Sequence, residues 1–291
     1  ARGFPAKDDL MNVARSGQPA YGMASVGDGR SSEGSRLLVE IAEKPEYTPK
    51  NVQTREERAK LVFGVKVEVD PQAIRNAYVL AEVFKGIMDK AGTDAITVNN
   101  CMGTIMPMSE TTACLPLSLL NDDGYLAFCE SDFVVIPSGI LLHYISGKPV
   151  FFCNPSFAHD SGNPASREPI LTVSHCTAPR LMNGSELEPA RILTHYESDF
   201  GAAPKVQMRK GQVITMLNPD FAGRRWLGFA GTIIDTPFYE ICRTQLDVAV
   251  KADREPLLEE VRGFHWMVTY GSYLREAGYA LKKAGVGWLP I

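Results

Sequence analysis

Apolar and polar residues alternate from Val62 to Val69, the period of a half-buried strand. Asp70-Pro71 then offers a helix N-cap followed by proline at the first helical position. Ile74, Ala77, Tyr78, Ala81, Phe84, Ile87 and Met88 recur at three- and four-residue spacing up to Gly92, which predicts a helix with one apolar face. Short apolar runs follow at Ala95–Val98, Tyr125–Cys129, Pro149–Cys153 and Pro169–Val173, with helix-compatible stretches at Thr111–Leu120 and Val134–Ile145. Strands alternating with helices predict an α/β fold, a doubly wound and mostly parallel sheet covered on both faces.

Beyond about residue 180 the rhythm changes. Val206–Met208, Lys210–Met216, Trp226–Ile234 and Thr244–Val250 are separated by Gly or Pro turns, which reads as antiparallel strands. A helix at Pro256–Arg262, a strand at Phe264–Tyr270 and a helix at Tyr273–Lys283 close the chain. The expected division is an irregular segment over 1–60, an α/β domain over 61–180 and a β-rich, barrel-like C-terminal domain over 181–291. The first segment opens on Ala1 rather than Met and is polar and Gly-rich from Ser16 to Ser35, as expected of a processed, truncated or partly disordered beginning.

The chain has 291 residues and a formal net charge of −4, with 30 Lys and Arg against 34 Asp and Glu. That balance gives no general attraction to a phosphate backbone or an anionic membrane, so neither nucleic acid nor membrane is an expected partner. No run approaches the roughly 20 apolar residues of a membrane span. The six cysteines, at 101, 114, 129, 153, 176 and 242, are irregularly spaced, lack a C-x-x-C and sit in apolar runs. They read as free thiols, and the expected location is cytoplasmic.

In an open α/β sheet, ligands bind beyond the carboxyl ends of the strands, and those ends are polar here: Asn99-Asn100-Cys101, Glu130-Ser131-Asp132, Asn154, and Ser174-His175. Asn, Asp and Ser are also ordinary turn and capping residues, and Asp132 can serve simply as the N-cap of the next helix. Glu130 and Asp132 carry the stronger signal. Two carboxylates within three residues repel unless a cation or donors compensate, and carboxylate with imidazole suits manganese or a similar divalent ion. Candidate imidazoles are His175, His195 and His265, while His143 and His159 read as structural. The run Gly27–Ser32 lacks the third glycine of a dinucleotide fingerprint, and the chain has no phosphate loop, H-E-x-x-H or G-x-S-x-G.

The runs Thr112–Gly124, Ala127–Asp132, Ser146–Phe152, Ser174–Pro179, Thr194–Ser198, Lys210–Thr215, Cys242–Gln245 and Gly263–Trp266 together resemble the L-fucose and L-arabinose isomerase superfamily, in particular an uncharacterised sugar-isomerase-like branch, over roughly residues 62 to 285. The resemblance implies manganese held by Glu130, Asp132 and His265, with Glu110 the nearest candidate for a further carboxylate. It implies a homo-oligomer, trimer or hexamer, acting on a small-molecule sugar. The loop Cys129–Phe133 departs from the family pattern, as does Ser272. The expected function is a metal-dependent aldose–ketose isomerase in which Glu130 or Asp132 moves a proton through an enediolate, with Asn100, His175 and His195 orienting hydroxyls. The alternatives are a non-catalytic sugar-binding or regulatory protein, and another metal-dependent enzyme of hydroxy-carbonyl compounds such as an epimerase or aldolase.

Overall fold

The computed structural model describes residues 65–159, 169–220, 224–260 and 263–291. The irregular segment expected over 1–60, the run Gly27–Ser32 and the start of the strand expected at Val62 lie outside them.

The first described elements follow the sequence rhythm. Strand β1 (Val65–Val67) leads to helix α1 (Pro71–Ala91), whose first turn is capped by the Asp70 side chain accepting from the Gln72 amide. Gly92, at φ 66°, ends it in the left-handed conformation glycine reaches most easily. Strand β2 (Ala95–Val98) and strand β3 (Leu126–Cys129) pair in parallel, Ala95 opposite Leu126, joined by a π-helical turn (Cys101–Ile105), a short helix α2 (Met106–Ser109) and helix α3 (Cys114–Asp122). Helix α4 (Ile136–Ser146) follows.

The remaining strands overturn the expected doubly wound sheet. They are β4 (Phe151–His159), β5 (Ile170–His175), β6 (Ala190–Leu193), β7 (Ala203–Val206), β8 (Val213–Pro219), β9 (Arg225–Asp235), β10 (Thr244–Val250), β11 (Trp266–Tyr270) and β12 (Gly287–Pro290), with helices α5 (Arg254–Glu260) and α6 (Leu274–Ala284) between the last of them. Strands β10, β5, β4, β11, β8 and β9 are neighbours in that order, every pair antiparallel, and β9 pairs back onto β10. The result is a closed six-stranded barrel. β12 extends β9 in parallel, and β1, β6 and β7 form a separate three-stranded sheet.

The reason for the discrepancy lies in β4 and β5. A run apolar at every position marks burial on both faces, which suggests a central parallel strand. In β4 the two faces meet two different cores. Phe151, Cys153, Leu171, Val173, Met216, Phe229, Leu246, Val248, Trp266 and Val268 fill the barrel interior. Phe152, Leu217 and Met267 point outward and pack with Phe128, Leu117, Leu142 and Met88 of the α/β layer. β4 and β5 are therefore barrel staves, with Asn154 opposite Ser174. The parallel pairing expected of them is confined in that layer to β2 and β3.

Closure requires close approach at its seam. Gly231 of β9 lies so near β10 that a Cβ there would meet the Val248 side chain and stand 3.0 Å from the Ala249 carbonyl oxygen.

Candidate functional site

The carboxyl end of β3 points at the outer wall of the barrel, where β5 and β11 each carry or adjoin a histidine. Glu130 follows β3 directly, with φ 61°, and Ser131 follows with φ 47°. Consecutive left-handed non-glycine residues cost of order 1 kcal/mol each, and strain of this kind gathers at functional turns. The turn is held by the Ser131 amide donating to Thr97 Oγ1 (3.1 Å) and by Asp132, whose Oδ1 accepts from the Val134 and Val135 amides.

The turn aims Glu130 at two imidazoles. Its Oε1 lies 3.3 Å from His175 Nε2 and its Oε2 lies 3.1 Å from His265 Nε2. One ligand atom from each of the three residues falls within 4.8 Å of the others, the spacing of a metal-binding triad. The opposite ring nitrogens are fixed from behind: His265 Nδ1 meets Asp132 Oδ2 at 2.9 Å, and His175 Nδ1 meets Thr177 Oγ1 at 2.9 Å. When those nitrogens donate and the rings are neutral, each Nε2 is left with its lone pair toward Glu130; a protonated His265 presents an N–H there instead. A partner behind the imidazole is the usual way to orient a metal-ligating histidine. Phe152 packs both rings, stacked on His265 at 4.3 Å and edge-on to His175 at 5.0 Å.

Electrostatics couples the three side chains, and solvent reaches them from one side. Contact with His175 and His265 holds the Glu130 carboxyl well below the usual carboxylate range. Burial alone would lower His265, but the Asp132 and Glu130 carboxylates outweigh it and raise the imidazole to about 9. Asp132 is lowered despite burial, through the same hydrogen bond and its backbone donors. Beyond its 3.1 Å ion-pair contact with Glu130, the buried His265 Nε2 has no other partner among the described residues. A divalent cation between the three side chains would satisfy that nitrogen. The histidine side chains are only 5% and 7% exposed while that of Glu130 is 53% exposed, so the site is closed behind and open on the carboxylate side.

Of the residues singled out from sequence, Glu130, Asp132, His175 and His265 are brought together. Asp132, expected as a ligand, stands behind His265, and His175, expected to orient a hydroxyl, faces the shared point. Asn100, left-handed at φ 52°, caps the π-helical turn through the Gly103 amide. His195 stays in the loop after β6, its Nδ1 3.2 Å from Ser198 Oγ. Glu110, at φ 52°, ends α2 with its carbonyl accepting from Asn76. Thr177 and Phe152 were not singled out, and Thr177, two residues past His175, carries the only sequence signal that pointed to a partner for that ring.

All six cysteines are free thiols, four buried and two half-buried. Among the described residues no helix is long and apolar enough to cross a membrane.

Comparison with known proteins corrects the family read from the motifs. A family model described as "Cellulose-binding Sde182, nucleoside hydrolase-like domain" matches residues 1–58, outside the described residues, and no isomerase family is matched. No curated protein matches the chain. The aldose–ketose isomerase with its enediolate step, expected from that resemblance, is not supported by the family the chain matches. What the chain displays is similarity, over its first 58 residues, to a domain named for cellulose binding.

Proposed function

We propose that the protein is a carbohydrate-binding protein that engages its sugar through a divalent cation held by Glu130, His175 and His265. The observation that carries this reading is the convergence of the buried His265 Nε2 and His175 Nε2 on the Glu130 carboxylate, with one ligand atom from each residue within 4.8 Å of the others. Two imidazoles and a carboxylate leave coordination positions open, and manganese accepts that donor set. Such an ion supplies a Lewis-acidic point that can be chelated by neighbouring hydroxyls, the group a sugar offers in abundance. The exposed side of Glu130 gives the ligand its approach. The cellulose-binding description of the family matched at residues 1–58 supports a carbohydrate as the occupant.

Isothermal titration of the metal-free protein with Mn²⁺, followed by titration with a panel of monosaccharides and cello-oligosaccharides, tests the reading. Sugar binding that appears with Mn²⁺ and disappears with EDTA is expected. Sugar binding indifferent to EDTA and to His265→Ala would refute the role of the ion.

A further inference from the structure

Phe264 is 80% exposed, the most exposed large apolar side chain among the described residues, and Phe133 is 48% exposed. Their positions are linked. Phe264 immediately precedes His265 and Phe133 immediately follows Asp132, and those two neighbours touch through a 2.9 Å hydrogen bond. Phe264 and Phe133 are therefore chain neighbours of two residues of the cluster, one at the start of a barrel strand and one in the α/β layer, and both rings are exposed.

The backbone beneath each ring is tied down. The Phe264 carbonyl accepts from Asn154 Nδ2 at 3.1 Å, and the His265 carbonyl accepts from Asn218 Nδ2 at 3.1 Å. On the other side, the Phe133 amide donates to the Ser131 carbonyl at 3.0 Å, and Asp132 caps the two residues that follow. Loop residues free to fold back would cover such rings. Here the main chain is anchored by hydrogen bonds, yet the rings are left toward solvent rather than buried.

We infer, resting on the carbohydrate-binding reading above, that Phe264 and Phe133 form an aromatic platform that receives the apolar face of a sugar ring whose hydroxyls reach the Glu130–His175–His265 cluster. A pyranose has a polar rim and faces of C–H groups. Aromatic faces carry negative quadrupole density, which attracts the weakly positive C–H hydrogens. A hydroxyl-binding cation next to exposed rings therefore matches both kinds of sugar surface at once. A purely apolar partner would leave the charged cluster unanswered, and an anionic one would meet Glu130 and Asp132.

The test uses the full chain loaded with Mn²⁺ and titrated with cellohexaose, comparing wild type, Phe264→Ala, Phe133→Ala and Phe264→Trp. Phe264→Ala should weaken binding of the oligosaccharide about 10-fold or more, Phe133→Ala several-fold, and Phe264→Trp should keep or tighten it, while Mn²⁺ affinity stays within about twofold in all. If wild type binds cellohexaose and Phe264→Ala binds it equally well, the platform is wrong and the metal-assisted reading stands. If Mn²⁺-loaded wild type binds neither cellohexaose nor the monosaccharide panel, the carbohydrate reading fails and the platform with it. If Phe264→Ala instead converts a dimer to a monomer in sedimentation without changing sugar affinity, the rings cover a subunit contact and the platform is overturned.

Discussion

Asp132 and His265 lie 133 residues apart in sequence, yet the carboxylate Oδ2 and the ring Nδ1 meet at 2.9 Å, fixing which face of the imidazole turns toward Glu130. On the proposed metal reading the aspartate would orient His265 rather than bind the ion itself. Asp132→Asn should therefore weaken Mn²⁺ binding by about 10- to 100-fold with the three ligand residues intact, the scale seen when a partner behind a metal-bound histidine is changed. His265→Ala should abolish measurable binding. Equal losses from both substitutions, measured by titration calorimetry, would place Asp132 among the ligands instead.

Phe152 joins the barrel wall to both histidine rings. Phe152→Leu keeps an apolar side chain in the shared core and is expected to cost about 1 to 2 kcal/mol of stability, well below the 3 to 5 kcal/mol of full truncation to Ala. It removes the ring on which His265 stacks, so metal affinity should fall several-fold more than the stability change explains. Chemical denaturation and calorimetry on the same variant separate the two effects.

Asp122 gives a pH signature far from the metal cluster. Its Oδ1 accepts from the Arg180 and Leu181 amides, each at 2.8 Å, and burial pushes its carboxyl up to about 6 against those hydrogen bonds. A carboxyl raised in the folded state binds its proton more tightly folded than unfolded. Stability from this group is thus greatest below the unfolded value of 3.8 and declines as pH rises toward about 6, by roughly 3 kcal/mol in all at 1.4 kcal/mol per unit. Urea denaturation from pH 4 to 7 should show wild type losing ground to Asp122→Asn over that interval. A flat difference would mean that the carboxyl is ionised throughout.

The thiols offer a direct count. After denaturation without reductant all six should react with a chromogenic disulfide reagent, since none is paired. In the native protein only Cys101 and Cys242 are partly accessible, and both should react slowly. Burial raises the Cys101 thiol, and the hydrogen bond with Cys176 followed by burial raises that of Cys242. Rapid modification of Cys153, deep in the barrel, would contradict the packing of its core.

Gly231→Ala probes barrel closure. The added methyl meets Val248 and presses toward the Ala249 carbonyl, so a loss of about 1 to 3 kcal/mol is expected, read from the denaturation midpoint. An unchanged midpoint would mean the seam has slack.

Local order was legible from the sequence and global order was not. The cap at Asp70, the proline at the helix start and the stop at Gly92 are short-range chemistry, and the structure realises each of them. The same holds for β2 and β3, whose apolar runs end where Asn and Glu begin. The barrel was hidden because Phe151, Phe152 and Cys153 are all apolar, and composition alone does not reveal that alternate residues enter different cores. At the site, Glu130 and Asp132 stood out by type and position, while His265 was one of three candidate imidazoles and was singled out as a ligand only by the family resemblance; which carboxylate faces which ring nitrogen depends on the fold. His175 looked like one strand-terminal residue among several until β5 became a barrel stave beside β11's neighbour.

The three ligand side chains belong to separate stretches of the fold: one leaves the parallel pair, one ends a barrel strand and one precedes another. A cation seated among them would act as a rivet through the seam between the layers, holding closed loops that chain entropy otherwise opens. Removing it would loosen the join rather than either part, so the apo protein should open first where Phe128 and Phe152 face each other, at 6.3 Å between ring centres.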